Sequence, residues 1–168
     1  MYESSIDKPR IGFVRQVARK SFEQCNQAFP EGYPTDIQKA LALVLPGYCT
    51  MELENLPPGK SAIVSIEDKC IGINRNHPNV RKRFSIAHEM GHILLDHPSD
   101  VFDPSGIADE VFETEANAFA AEFLVPLASL KAEFSKCRNY KELAKKFIVS
   151  EESMYYRFKD AKLLSQIL

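Results

Sequence analysis

Two histidines four residues apart, with a glutamate directly after the first, occur in the stretch RFSIAHEMGHILLDH, residues 83–97. On a helix, residues i and i+4 share one face, so His88 and His92 can present two imidazoles to one metal ion. Imidazole nitrogen binds zinc at about 2.0–2.1 Å. Glu89 is offset by one residue, so it cannot bind the ion but can reach a water beside it. The HExxH pattern therefore predicts two zinc ligands and a catalytic general base on one helix.

The residues around the motif favour this interpretation over an ordinary helix that happens to carry polar side chains. The segment is otherwise largely apolar, with isoleucine or leucine at positions 86 and 93–95. Burying two imidazoles and a carboxylate in such a helix is costly unless a partner satisfies them. A bound metal ion is the partner that this set of side chains suits best.

A catalytic zinc site also needs a third protein ligand, and the candidates lie in DEVFETEANAFAAEFLVP, residues 109–126. Glu113 and Asn117 are four residues apart, on a face whose small residues allow close packing against the motif helix. Glu115 lies about 200° around the helix from Glu113, on a face that the sequence predicts to be in solvent. We therefore assign Glu113 as the third ligand and keep Glu115 as the alternative. Asn117 is predicted to stand behind the ligands, where it either hydrogen-bonds a ligand histidine or holds the two helices together.

His97 is another candidate ligand, but the sequence disfavours it. It lies nine residues after His88, whereas the longer three-histidine zinc pattern requires ten and a glycine that turns the chain. Leu95 stands at that turning position. We predict instead that His97 is exposed near the helix end, where the helix dipole favours a cation.

The composition is that of an ordinary soluble domain, with 168 residues, 45% hydrophobic residues, 26% charged residues and a net charge of −2. The length predicts one domain, and the charge gives no general attraction to nucleic acid or an anionic membrane. No apolar run is long enough to span a membrane, and the N-terminus lacks the apolar core of a signal peptide. The four cysteines contain no CxxC pair, which argues against a cysteine zinc cluster and favours reduced thiols in the cytoplasm.

The remaining segments predict an α+β fold that is mostly helical with a small β-sheet. Amphipathic spacing predicts helices over residues 7–29, 35–45, 79–95, 108–124 and 127–134. Three short β-like runs, YCTMEL, SAIVSIED and KCIGINRN, predict a small sheet from residues 49–74, and the last two form a hairpin around Asp68 and Lys69. The second strand of this hairpin, KCIGIN, is predicted to be an exposed edge to which an extended substrate adds as a further strand.

The stretch RKRFSIAHEMGHILLDH, followed by ETEANAFAAEFLVP, resembles the ImmA/IrrE family of bacterial zinc metallo-endopeptidases, which are gluzincin-like. The later stretch LAKKFIVSEESMYYRF is similar as well, and the resemblance covers about residues 60–160. It implies a zincin-like metallopeptidase domain in the cytoplasm, with Zn²⁺ as cofactor. It also implies cleavage of a helix-turn-helix transcriptional repressor during a stress response or induction of a mobile element. Related zinc peptidases have aspartate where this chain has Asn117, a difference that alters the surroundings of a ligand without removing one.

Residues 137–168 are predicted to be a helix-turn-helix-like extension packed on a metallopeptidase core of residues 1–136. Apolar spacing gives two short helices, with Ser150 capping the second. Residues 138–168 hold seven cations and four anions, a balance that suits DNA. However, the second helix begins with Glu151 and Glu152, which match phosphates poorly. We therefore predict a packing unit or substrate-docking surface and no contact with nucleic acid.

Two classes of function remain open at this point. The chain is either a zinc endopeptidase whose protein substrate is a repressor, or a non-enzymatic regulator that binds a protein partner or DNA through the same fold. Glu89 favours the enzyme, because a binding module needs no base beside the metal. A structural zinc fits badly, since such sites are closed by four protein ligands and the sequence offers three. The residue that stabilises the oxyanion is left open among four candidates: Arg81, Tyr140, Tyr155 and Tyr156.

Overall fold

Helices and a small sheet combine into an α+β fold in the computed structural model, which describes residues 8–98 and 107–167. The helices within those ranges are α1 (Ile11–Ala28), α2 (Ile37–Val44), α3 (Asn79–Leu94), α4 (Ile107–Leu124), α5 (Leu127–Phe134), α6 (Tyr140–Phe147) and α7 (Glu151–Asp160). The strands are β1 (Cys49–Leu53), β2 (Ala62–Ser65) and β3 (Cys70–Asn74). The predicted mixture of helices and a small sheet is confirmed. The predicted start of the first helix at residue 7 lies outside the described residues.

The central strand of the sheet is β3. It runs parallel to β1, with Cys70 opposite Cys49, and antiparallel to β2, with Ile73 opposite Ala62. The predicted hairpin is present, and Lys69 makes its turn with a φ of 49°. The prediction that β3 is an exposed edge is wrong, because its alternating isoleucines are buried and strands bond to it on both sides. Within the described residues, the strand beside the motif helix that has an unpaired edge is β2.

The two helices that carry the candidate site, α3 and α4, approach closely at Gly91. A Cβ atom on Gly91 would lie 3.0 Å from the Cβ of Phe119 on α4, so a side chain there would push the helices apart. Glycine inside a helix costs about 1 kcal/mol relative to alanine, and here it permits the close approach. Ala116 and Ala120 of α4 are fully buried, as the predicted packing face requires. Side chains of both helices can therefore reach one point.

The opposite face of α4 is covered by α1 and α7. The Glu122 side chain is 1% exposed. It accepts hydrogen bonds from Arg19 of α1 at 3.0 Å, from the Leu127 backbone N–H at 3.1 Å, and from Arg157 of α7. The prediction of a solvated face is wrong here, because arginines on the covering helices neutralise the carboxylate that they bury. This face of α4 is an interface between helices.

The C-terminal helices α6 and α7 are joined by a tight turn. Ile148 ends α6 in the left-handed conformation, and the Ser150 hydroxyl oxygen caps α7 by accepting from the Ser153 backbone N–H at 3.0 Å. Arg83 of α3 donates to the Ile148 carbonyl at 3.2 Å, and Arg157 donates to the Val125 carbonyl at 2.9 Å. The pair is thus bound to both α3 and the end of α4, while the domain boundary after residue 136 stays a prediction.

No helix in residues 8–98 or 107–167 has both the length and the apolar character that crossing a membrane requires.

Candidate metal centre

His88 and His92 of α3 meet Glu113 of α4 at one point. The two Nε2 atoms are 3.0 Å apart; His88 Nε2 lies 3.2 Å from Glu113 Oε2, and His92 Nε2 lies 3.1 Å from Glu113 Oε1. The histidine side chains are 15% and 21% exposed, whereas that of Glu113 is 60% exposed. The point where the three groups meet is therefore anchored in the protein and open to solvent on the Glu113 side.

These distances suit a tetrahedral ion. Ligands bound to zinc at about 2.0–2.1 Å are about 3.3 Å apart in a tetrahedron, close to the observed 3.0–3.2 Å. The donor set of two imidazole nitrogens and a carboxylate is one that catalytic zinc sites use. Three protein groups leave a fourth position for water or substrate. The residues present therefore fit zinc.

His88 is oriented by α4. Its Nδ1 lies 2.9 Å from Asn117 Oδ1, a contact that fits the first of the two predicted roles of Asn117. An amide oxygen accepts, so the ring proton belongs on Nδ1 and the lone pair on Nε2. Burial alone would lower the pKa of His88, but the hydrogen bond and charge of Glu113 outweigh burial and raise it. Both pKa shifts belong to the metal-free protein, in which a proton gained on Nε2 of His88 or His92 is donated to Glu113, and these hydrogen bonds hold the pKa of Glu113 well below its usual range.

His92 is oriented by His97, whose predicted exposure is wrong. The His97 side chain is 2% exposed, and its Nδ1 lies 2.9 Å from His92 Nδ1. Burial lowers the pKa of His97, despite an opposing hydrogen bond to Glu115. His97 is not among the ligand atoms of the cluster. It instead stands directly behind one of them.

The turn after α3 brings His97 back onto His92. Asp96 adopts the left-handed conformation with φ 54°, the His97 N–H bonds the His92 carbonyl at 3.0 Å, and the Asp96 N–H bonds the Ile93 carbonyl at 3.2 Å. These two bonds define a Schellman motif, in which the side chains at the positions of His97 and His92 are regularly in contact. Glycine is usual at the left-handed position, but aspartate is among the residues that adopt it most readily. Asp96 is therefore the feature of the sequence that could have indicated that His97 turns back onto His92.

Glu115 does not join the cluster. Its side chain is 1% exposed, with Oε2 3.0 Å from His97 Nε2. Arg10, just before α1, holds it with three donors: the backbone N–H at 2.6 Å, Nε at 3.0 Å and Nη2 at 2.7 Å. Burial would raise the pKa of Glu115, but the hydrogen bonds from Arg10 lower it to about 2. The predicted solvent exposure is wrong because α1 covers this face, and no sequence signal pointed to Arg10.

Glu89 lines two neighbouring cavities of about 370 and 580 Å³, which also share Lys60, Ala62 and Glu113 as lining residues. The smaller cavity reaches His88 and Asn117, and the larger one reaches His92 and His97. Burial raises the pKa of Glu89, against the opposing charges of the two motif histidines. Residues of β2 line both cavities, so this strand borders the groove that the two cavities form beside the cluster.

Comparison with known proteins identifies the family. Residues 52–159 match the Peptidase_M78 family model, described as the IrrE N-terminal-like domain. The chain is 32% identical over 141 residues to the radiation response metalloprotease IrrE of Deinococcus radiodurans, covering 72% of this chain and 43% of that protein.

A solved structure, a Mycobacterium tuberculosis transcriptional regulator, is similar with a TM-score of 0.64 and 15% identity, covering 88% of this chain and 51% of that one. At this identity the likeness shows the fold alone. The chain spans about half the length of these two proteins. The family match extends over most of the chain and includes the HExxH helix and Glu113. The chain belongs to the ImmA/IrrE family, with an IrrE N-terminal-like peptidase domain.

Proposed function

We propose that this chain is a zinc-dependent endopeptidase in which His88, His92 and Glu113 bind the metal and Glu89 is the general base. One observation carries the proposal. Asn117 Oδ1 and His97 Nδ1 each lie 2.9 Å from the Nδ1 atom of one motif histidine. When they accept hydrogen bonds from Nδ1–H, both Nε2 lone pairs face each other and a carboxylate at 3.0–3.2 Å. Such lone pairs and a negative charge repel one another without a cation between them. The metalloprotease name of the Deinococcus relative supports the same assignment.

The chemistry follows from the residues around this point. When bound, zinc supplies a Lewis acid for the scissile carbonyl and makes a nearby water more acidic. The Glu89 carboxylate accepts a proton from the attacking water as the new C–O bond forms. It then donates that proton to the leaving amine nitrogen as the C–N bond breaks. Glu89 can serve both steps because it lines both cavities.

The groove suits an extended polypeptide. The unpaired edge of β2 offers backbone N–H and C=O groups to which a substrate can add as a further strand. This corrects the earlier assignment of that role to β3. Ile63 and Ile66, 41% and 52% exposed, provide apolar surface beside the edge and line the larger cavity. A folded substrate would need to present a flexible segment to fit.

Arg81 is the best placed of the four candidates for stabilising the oxyanion. It lines the smaller cavity together with His88 and Glu89, and its Nη2 is held 3.0 Å from the Ser61 hydroxyl. The three tyrosines instead pack edge to face against one another, with the Tyr155 ring centroid 6.1 Å from that of Tyr140 and 5.9 Å from that of Tyr156. We therefore assign the oxyanion contact to Arg81.

The proposed substrate is a helix-turn-helix transcriptional repressor in the cytoplasm, cleaved in a stress response or in induction of a mobile element. This part of the proposal rests on the family resemblance. The helix-turn-helix-like character of α6 and α7 stays a prediction as well. Their proposed role is packing or substrate docking, and the exposed Tyr155 and Tyr156 offer a surface for the latter.

The decisive experiment compares wild type with Glu89→Gln on a panel of helix-turn-helix repressors, beginning with any encoded beside this gene. The amide preserves size but cannot accept the proton, so cleavage should fall about 10²–10⁴-fold while bound zinc is unchanged. Glu23→Gln, on an exposed part of α1, is the matched control and should cleave like wild type. Fragments are detected by mass spectrometry.

Two results would oppose the proposal. Equal cleavage by Glu89→Gln and wild type would remove Glu89 from the reaction. If neither protein cuts any repressor, but both bind a repressor or its operator DNA equally, the non-enzymatic regulator would replace the peptidase.

A further inference from the structure

We propose that helix α1 is part of the metal site, because Arg10 at its start orients the ligand His92 through Glu115 and His97. The inference rests on the proposed metal-binding function and names three positioning residues for it. Arg10 lies outside residues 52–159, the part of the chain that matches the family model. The N-terminal helix would thus contribute to a site that the family match alone places on α3 and α4.

With His97 neutral, the hydrogen-bond roles in the series from Arg10 to His92 follow from one another. A carboxylate only accepts, so His97 Nε2 must carry a proton and donate it to Glu115 Oε2 at 3.0 Å. His97 Nδ1 is then the acceptor for His92 Nδ1–H at 2.9 Å. His92 is left with its lone pair on Nε2, which faces His88 and Glu113. The chain therefore selects the His92 tautomer that can bind a metal.

The series of hydrogen bonds from Arg10 to His92 is held in place at both ends. On one side, the Schellman motif at Asp96 fixes where His97 leaves the end of α3. On the other side, Arg10 clamps Glu115 with a backbone donor and two side-chain donors. His97 and Glu115 are 2% and 1% exposed, so water cannot readily replace a lost partner. Rotation of the His92 ring would leave a buried donor or acceptor unpaired.

An ion pair that merely joins α1 to α4 would look similar, and metal binding separates the two interpretations. A structural link would change the unfolding temperature and leave zinc affinity unaltered. A positioning chain changes the affinity and the ligand field of the bound ion. Partners behind a ligand histidine typically contribute about 10–100-fold to metal affinity.

The first test compares His97→Phe with His97→Asn. Zinc affinity is measured by competition with a chelator, and the visible absorption of bound Co²⁺ reports ligand geometry. His97→Phe keeps an aromatic ring but accepts no hydrogen bond, so affinity should fall about 10–100-fold with an altered Co²⁺ spectrum. The Asn amide oxygen can take the place of Nδ1, so His97→Asn should recover most of the affinity. His77→Phe, in the turn before α3, is the control for replacing a histidine.

The second test moves along the chain to α1. Glu115→Gln should lower zinc affinity about tenfold, because its amide N–H₂ must face a donor of either Arg10 or His97. Arg10→Ala should have a smaller effect, since the backbone N–H of residue 10 still reaches Glu115. Arg15→Ala is the matched control, because Arg15 pairs with Asp160 on the surface of the molecule, at 3.2 Å. Thermal unfolding in chelator shows whether each variant folds, and Glu115→Gln replaces His97→Phe if the latter does not.

The outcomes separate this inference from the function on which it rests. If wild type binds zinc but His97→Phe and Glu115→Gln bind it within about twofold of wild type, with unchanged Co²⁺ spectra, the positioning chain is overturned and the metal site stands. If wild type binds neither zinc nor Co²⁺, both proposals fall. A loss in His97→Phe that His97→Asn restores, with no loss in Arg15→Ala, supports the chain as proposed.

Discussion

The two histidines of the motif lie one turn apart on the same helix and face the same point, yet different parts of the molecule hold them. His88 contacts Asn117, a neutral amide on α4, at 2.9 Å. His92 contacts His97 at the same distance, and behind His97 lie the carboxylate of Glu115 and the guanidinium of Arg10. His88 has one neutral partner behind it, whereas His92 stands at the end of a series of hydrogen bonds that includes a buried carboxylate and a half-exposed guanidinium.

This difference concerns both electrostatics and sequence distance. The Glu115 carboxylate accepts from His97 Nε2–H and so makes His97 Nδ1 a stronger acceptor for His92. His92 should therefore be the more basic of the two histidines and the stronger donor to a metal. The partner of His88 is 29 residues away, whereas Arg10 and Glu115 are 105 residues apart. A ligand position with the same local pattern can thus depend on one neighbouring helix or on the far end of the chain.

The largest expected effect on zinc binding follows from loss of either motif histidine. His88→Ala and His92→Ala should each abolish stoichiometric zinc binding, because each removes a ligand from a set of three. Elemental analysis after dialysis measures the zinc, and His77→Ala should retain the wild-type content. Zinc that stays stoichiometric in either variant would remove that histidine from the site.

The two glutamates of α4 should differ strongly. Glu113→Gln should weaken zinc binding by more than about 100-fold, the upper end of what partners behind a ligand contribute, because Glu113 itself contacts both Nε2 atoms. Glu115→Gln should cost about tenfold. Chelator competition on both variants ranks them. A larger loss in Glu115→Gln than in Glu113→Gln would make Glu115 the third ligand in place of Glu113.

Substitutions of Asn117 test whether a neutral or a charged partner behind His88 gives the higher zinc affinity. Asn117→Ala should lower zinc affinity about tenfold by leaving the His88 Nδ1–H without its acceptor. Asn117→Asp places a carboxylate there and should raise affinity, by about threefold. The same competition assay applies. A lower affinity in Asn117→Asp than in wild type would show that His88 is tuned by the amide and that the two sides are not interchangeable.

The smallest effect is the dependence of stability on pH. Glu115 has a pKa of about 2 in the folded protein and an ordinary value of 4.5. Its contribution to the free energy of unfolding is therefore present above pH 4.5 and is lost as pH falls from 4.5 toward 2. In zinc-free protein, wild type should lose on the order of 1 kcal/mol more than Glu115→Gln over this interval, since the half-exposed Arg10 is screened by solvent. Denaturant titrations at both pH values measure this, and equal losses would contradict it.

Contacts within one helix, or between two helices with clear packing faces, could be predicted from the sequence. Side-chain direction on a helix follows its 3.6-residue period, so the shared face of His88 and His92 follows from their spacing alone. The same period separates Glu113 from Glu115, and the alanines of α4 indicate which face turns toward α3. The contact of Asn117 with a motif histidine also follows from this reasoning.

Contacts that depend on which elements pack together could not be predicted in this way. We predicted that Glu115, Glu122 and His97 are exposed, because charged and polar side chains usually lie in solvent. The covering helices α1 and α7 overturned this prediction by bringing Arg10, Arg19 and Arg157 to the carboxylates. Likewise, strand spacing predicted the hairpin of β2 and β3 but not the pairing of β1 with β3. That pairing covers the outer edge of β3 and leaves β2 with an unpaired edge.

The sequence by itself therefore determined the HExxH helix, the glutamate that completes a candidate set of metal donors, and the family. These depend on residue types at fixed spacing, and helix geometry converts spacing into direction. The tertiary structure decided what stands behind each ligand and which strand borders the groove. The contacts of Arg10 with Glu115 and of Glu115 with His97 join residues far apart in the chain, and only packing of the whole domain brings each pair within hydrogen-bonding distance.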